Sequence, residues 1–179
     1  YIVNVATTNN RIRIPSRKLL QQHLNAAATI GAKGLIVHGG HVEKAVDPAV
    51  GFDNWRKAIE ATDLPIPLLI ENTAGGDNAM ARHLDRIAGV WDAIASAAGA
   101  DQVGFCLDPC HAHAGGNALG TVADRVRAIT GRIDLVHAND ARDAFDSGAD
   151  RHTGIGSGHI DPGALADVLR AAKAPVVVE

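Results

Sequence analysis

Leu135-Val136-His137-Ala138-Asn139-Asp140 is a short apolar run that ends on a histidine and passes straight into a polar loop, where Asp150-Arg151-His152 follows. An aliphatic run of this length, without internal alternation, suits a strand buried on both faces of a parallel sheet. A ligand-type residue where the strand gives out suits a site built at the sheet's edge. One such segment would carry little weight, because polar loops collect His and Asp by chance. The arrangement recurs, however, along the whole chain. Strands are expected at residues 34–37, 67–70, 103–107, 133–136 and 175–178, and the residues that follow them are His38, Glu71, Asp108, His137 and Glu179.

Helical patterns fill the intervals. Residues 16–30 place Leu19, Leu20, Leu24 and Ala27 on one face, with Ser16 as the expected cap and Gly31 just past the end. Residues 55–62, 79–98, 121–129 and 162–172 read similarly, the last with Asp161 as cap and Pro162 in the first turn. Strands alternating with helices mean βα units and a parallel sheet. In an open doubly wound sheet the strand ends are spread along an edge. In a closed barrel they converge on one mouth. Five ligand-type residues at five strand ends favour the barrel. A (β/α)8 barrel runs to about 250 residues, so the 179 residues here are expected to form a single domain, an incomplete TIM barrel made of about its last five βα units.

Composition agrees with a globular α/β chain. Apolar residues make up 46% and aromatics only 3%, so the core must be built from Val, Ile, Leu and Ala. The formal charge of −3 argues against a large basic surface for nucleic acid, although bound divalent ions would reverse the sign locally. Two cysteines, Cys106 and Cys110, make no disulfide framework and fit a reducing cytoplasm. No apolar run reaches the ~18 residues needed to span a bilayer. The first residues, Tyr1-Ile2-Val3-Asn4, already read as structured chain, and Glu179 comes directly after a strand, so both ends are expected to be cut from a longer protein.

The candidate ligands form a coherent set. A carboxylate directly after Leu-Leu-Ile, as Glu71 is, would be partly buried, which is costly unless it is paired or metal-bound. Asp108 makes the same case, with His111 three residues later, although Asp108 also suits a helix cap. Cys106 reads better as a small apolar strand residue than as half of a zinc knuckle, since no second knuckle exists. His23 and His83 are assigned to helix surfaces, and His41, His113 and His159 to loops. Gly154-Ile155-Gly156-Ser157-Gly158 follows a loop and not a strand, which excludes a dinucleotide fingerprint. It is expected to be a flexible loop that lets Asp150 and His152 fold over the mouth. Together His38, Glu71, Asp108, His111, His137, Asp150, His152 and Glu179 offer more ligands than one tetrahedral ion uses, and suit two or three ions with a carboxylate bridge. Such clusters hydrolyse phosphate esters.

Several stretches resemble the endonuclease IV family of apurinic/apyrimidinic endonucleases, which are zinc-dependent TIM-barrel DNA-repair enzymes. They are His38-Gly39-Gly40, Ile70-Glu71-Asn72-Thr73-Ala74-Gly75, Cys106-Leu107-Asp108-Pro109-Cys110-His111-Ala112, His137-Ala138-Asn139-Asp140 with Asp150-Arg151-His152, and Val178-Glu179. They run nearly end to end, in the family's order. The resemblance implies Zn2+, two to three ions, with Mn2+ able to substitute in part. Glu71 would bridge two ions, with His38 on the first and Asp108 and His137 on the second. His111, Asp150 and His152 would hold the third, and Glu179 would complete the cluster. Glu71, Asp108 and Glu179 would be the catalytic carboxylates.

The implied reaction is that of a deoxyribonuclease IV type hydrolase in base excision repair. It cleaves the phosphodiester 5′ to an abasic site, leaving a 3′-hydroxyl and a 5′-deoxyribose phosphate, and it trims blocked 3′ ends. The implied partner is double-stranded DNA carrying those lesions, and the whole protein would be a cytoplasmic monomer without membrane contact. The family has a further zinc histidine shortly before the segment matching Tyr1, and often an aromatic residue where His113 stands. Two alternatives compete: a sugar isomerase or epimerase of the xylose-isomerase-like barrel type, and an inactive metal-binding fragment.

Overall fold

A computed structural model describes residues 3–178. Five strands, β1 (Leu35–His38), β2 (Leu68–Glu71), β3 (Val103–Leu107), β4 (Leu135–His137) and β7 (Val176–Val177), form one sheet in that order, every neighbouring pair parallel. A doubly wound sheet would reverse its strand order at a switch point. Here the order never reverses, and right-handed crossovers of one sense keep all connecting helices on one face. The result is an arc of a (β/α)8 barrel, as expected from the strand ends.

The helices are α1 (Asn10–Thr29), α2 (Pro48–Glu60), α3 (Leu84–Ile94), α4 (Pro109–Ala114), α5 (Leu119–Thr130) and α6 (Pro162–Ala172). A two-residue ribbon, β5 (Asp140–Ala141) against β6 (His152–Thr153), runs antiparallel outside the main sheet. Among the described residues no helix is long and apolar enough to cross a membrane.

Side chains alternate between the two faces of each strand. Val37, Leu68, Ile70, Val103, Phe105, Leu107 and Val136 pack into the main core with Leu20, Leu24, Trp55, Ile59, Ile87, Val90, Val126 and Val168 from the helices. The residues of opposite parity, His38, Glu71, Cys106 and His137, therefore look inward, toward the barrel axis. The register pairs His38 with Glu71 and Glu71 with Cys106, which brings the strand ends level.

Three helices begin on the same device. Asp47-Pro48, Asp108-Pro109 and Asp161-Pro162 each place a carboxylate that accepts a first-turn amide, from Ala49 (2.9 Å), His111 (2.8 Å) and Ala164 (2.8 Å), with proline where no donor is needed. This explains why α2 starts at Pro48 and not at residue 55. Two other helices also differ from expectation. α1 starts at Asn10, capped by Asn9, and runs through Pro15, while the Ser16 hydroxyl accepts the Asn4 amide instead of capping. α3 is shorter than 79–98, because the backbone of Ala79–Ala81 is spent elsewhere. Ala79 bridges His41, Met80 donates to Gly40, and Ala81 accepts from Thr73.

Candidate metal centre

Glu71 occupies the last position of β2 and is almost wholly buried. Its two oxygens face different partners. Oε2 lies 3.4 Å from His38 Nε2, at the end of β1, and Oε1 lies 3.1 Å from His137 Nδ1, at the end of β4. Oε1 is also 3.3 Å from His111 Nδ1. Burial alone would raise the Glu71 carboxyl, but hydrogen bonds from His111, His137 and His38 outweigh it and hold the group well below the ordinary carboxylate range.

Asp108 serves two purposes with its two oxygens. Oδ1 accepts the His111 amide and caps α4. Oδ2 accepts from Asn139 Nδ2 at 3.1 Å and faces His152 Nε2 (3.8 Å) and His111 Nδ1 (3.9 Å). The helix-cap and ligand readings of this residue are thus compatible. Asn72 fixes the backbone of the same residue, its side chain donating to the Asp108 carbonyl and accepting the Asp108 amide, both at 2.8 Å. The Asp108 carboxyl is fully buried, and burial pushes its pKa up. An anion placed there calls for a cation.

His111 decides how the ligands divide. Its Nδ1 donates to the Asn72 carbonyl at 2.9 Å, which commits that nitrogen to the protein backbone. Nε2 is left facing Asp150 Oδ1 (3.0 Å) and His152 Nε2 (3.2 Å). A ring N–H tied to a carbonyl is the usual way a protein orients the other nitrogen toward a metal. Burial lowers the His111 pKa, but hydrogen bonds to Asp150 and Glu71 and the charge of Asp108 carry it up to about 11. Asp150 is held below the ordinary carboxylate range chiefly by the same His111 bond.

His38, Glu71, Asp108, His111, His137, Asp150 and His152 all come together at the carboxyl ends of the strands. Glu179 lies outside the described residues. Three overlapping sets have ligand atoms within 4.8 Å of one another: His38, Glu71 and His111; Glu71, Cys106 and His137; and Asp108, His111 and His152. Nitrogen and carboxylate oxygen donors in this number fit zinc. In this geometry Asp108 groups with His111 and His152, whereas the resemblance pairs it with His137.

Cys106 is not only a small apolar residue, since its sulfur faces Glu71 and His137. Neither cysteine is in a disulfide. Burial and nearby carboxylates push the Cys110 thiol up to about 12, so it stays protonated. His113 is a buried residue of α4 and not a loop histidine, packed edge-on against Phe145. His83 immediately precedes α3. Arg151 is paired with Asp143, both in the loop between β5 and β6. The Gly154–Gly158 segment is pinned and not free: Gly156 and Gly158 donate to Asp140 Oδ2, and Ser157 donates to the Gly154 carbonyl. Asn72, Asn139 and Asp140 were not among the expected site residues. Their signal was position: each stands within three residues of a strand-end ligand.

A sequential parallel arc with clustered metal-ligand side chains at its carboxyl ends defines a TIM-barrel protein of the metal-site class. The sequence matches the AP_endonuc_2 family, Xylose isomerase-like TIM barrel, over residues 1–179. It is 55% identical over 179 residues to the probable endonuclease 4 of Mycobacterium tuberculosis (strain CDC 1551 / Oshkosh) and 54% identical to that of Mycobacterium ulcerans (strain Agy99), in each case covering 100% of this chain and 69% of the relative. The crystal structure of endonuclease IV from Thermus thermophilus superposes with a TM-score of 0.76 at 26% identity, covering 100% of this chain and 66% of that one. A D-tagatose 3-epimerase-like protein superposes as well, with a TM-score of 0.77 at 19% identity, covering 99% and 67%.

The fold is therefore common to nucleases and sugar epimerases, and sequence identity separates them. The chain belongs to the AP endonuclease 2 family and, within it, to the endonuclease IV type of hydrolase.

Proposed function

We propose that this chain carries the metal-bearing part of a DNA-repair nuclease. The enzyme hydrolyses the phosphodiester 5′ to an abasic site in double-stranded DNA, leaves a 3′-hydroxyl and a 5′-deoxyribose phosphate, and trims blocked 3′ ends. It acts as a cytoplasmic monomer.

The observation that carries this reading is the commitment of His111 Nδ1 to the Asn72 carbonyl. It turns Nε2 toward Asp150 and His152, so that a further ligand group forms beside the one around Glu71. A sugar epimerase barrel needs no such additional group. On this reading His38 and Glu71 would serve a first zinc ion, Glu71, Asp108 and His137 a second, and His111, Asp150 and His152 a third, with Glu179 completing the cluster; Asp108 Oδ2, 3.8 Å from His152 Nε2, would border the third as well. Bound zinc supplies Lewis-acid stabilisation for the phosphoryl and leaving oxygens.

The chain's own residues do the positioning. Glu71 presents one oxygen to each side, so two ions would share its charge. Asp108 keeps Oδ2 turned to the cluster because Asn139 and the first turn of α4 hold the carboxylate. His111 Nε2 would hold a cation only in its unprotonated form, and Asn72 keeps the ring fixed in that orientation.

The test is a nicking assay of the whole protein on a duplex with a single abasic site, with and without chelator, paired with elemental analysis. Zinc-dependent cleavage at the 5′ side is expected. Cleavage that survives metal removal, absence of zinc, or epimerisation of a ketose with Mn2+ in place of nicking would each overturn the assignment.

A further inference from the structure

Asp140 stands three residues beyond His137 and is fully buried, yet none of the ligand sets among the described residues includes it. All of its acceptor capacity goes to backbone amides. Oδ1 accepts from Ala141 (2.7 Å) and Ile160 (3.0 Å), and Oδ2 accepts from Gly156 (3.0 Å) and Gly158 (2.9 Å). With two donors on each oxygen, the carboxylate is saturated and has little left to offer a cation. The loop is shaped around it. Gly156 has φ +84°, and a Cβ on Gly158 would collide with the Ala141 carbonyl and with Asp140 Oδ1. The glycines that look like a flexible hinge in the sequence are those that let the backbone close on one carboxylate.

The same residue opens the ribbon. Asp140 pairs with Thr153 and Ala141 with His152, Arg142 donates to the Arg151 carbonyl, and His159 donates to the Ala141 carbonyl. A ribbon of two residues per strand is not stable by itself. Asp140 joins its outgoing strand to the returning loop and sets both against the end of β4.

We propose that Asp140 is a positioning residue that locks the β5–β6 ribbon and thereby holds Asp150 and His152 in register with His111. The inference rests on the zinc reading for what those ligands bind, but the lock itself is read from hydrogen bonds alone.

Two measurements on the whole protein test it. In the first, amide hydrogen exchange is followed in the chelator-treated protein for wild type, Asp140→Asn and Gly158→Ala. Both variants are expected to lose at least about 10-fold protection at Gly156, Gly158, Ile160 and Arg142, while β1–β4 stay protected. In the second, zinc content and resistance to a competing chelator are measured. Affinity for one ion per chain should fall about 10–100-fold, as for loss of other groups that orient ligands, with the remaining ions retained, and excess zinc should restore nicking. A merely structural defect would not respond to zinc.

Asp161→Ala, which uncaps α6 outside the lock, provides the control: its melting temperature should drop with ribbon protection and zinc unchanged. The proposal is overturned if Asp140→Asn and Gly158→Ala keep ribbon protection, or if Asp161→Ala produces the same selective zinc loss. A wild-type protein that shows the lock and the zinc but does not nick abasic DNA would instead remove the nuclease reading and leave this one standing.

Discussion

Two groups of ligands meet at the mouth, and they are held by different means. Glu71 and His137 end strands, and Asp108 follows one directly. Their side chains are 6%, 8% and 0% exposed, and the parallel sheet fixes their spacing. His152 sits on a two-residue ribbon and Asp150 in the loop two residues before it, with side chains 28% and 45% exposed. The first group cannot shift without breaking the sheet. The second is held by one carboxylate and a few loop hydrogen bonds. Strength of placement in this site therefore follows the type of element and not the type of ligand.

The sharpest way to break this comparison is to attack its rigid half. Glu71→Gln should reduce abasic-site nicking by about 10³-fold or more, the scale on which a preorganised electrostatic contact counts. Retained activity under single-turnover conditions would show that the strand ends are not the centre. Asp150→Ala should cost less, about 10²-fold, and elemental analysis should find one zinc per chain lost with the others kept. Loss of all metal would mean that the two groups are not separable. Asn139→Ala removes the donor that steadies Asp108 Oδ2, and chelator competition should then show about 10–100-fold weaker zinc retention.

Acid stability probes the weaker half. Burial raises the Asp140 carboxyl, but the four backbone amides outweigh it, so its folded pKa lies below its ordinary value. The stabilisation is thus fully present above the ordinary carboxylate range and is lost as pH falls through the lowered value. Melting curves of metal-free protein should show a shallower acid limb for Asp140→Asn than for wild type. The smallest effect belongs outside both groups: Asp161→Ala should lower stability by about 1 kcal/mol in denaturant unfolding.

The strand ends could be read from the sequence because a buried parallel strand leaves a plain trace, an unbroken aliphatic run stopped by one polar residue. His38, Glu71, Asp108 and His137 were found that way, and the sequential sheet follows from the same alternation. The start of α2 had a signal too, Asp47-Pro48, identical in kind to Asp161-Pro162, but the apolar pattern around Trp55 drew the boundary inward. What the sequence hides is contact at long range. Gly154–Gly158 reads as a hinge because its partner, Asp140, lies 14 residues before Gly154. His113 reads as a loop residue because nothing local announces that Phe145 covers it. The grouping of ligands was visible only through resemblance, since it depends on which ring nitrogen of His111 is engaged, and no spacing rule specifies that.

Asp108 has one further consequence. Because one oxygen caps α4 and the other looks into the cluster, the helix and the site draw on a single hinge point. Whatever coupling a cation at Oδ2 has to the first turn of α4 is reciprocal, because both draw on one carboxylate. Filling the centre and capping this short helix are therefore tasks of a single side chain.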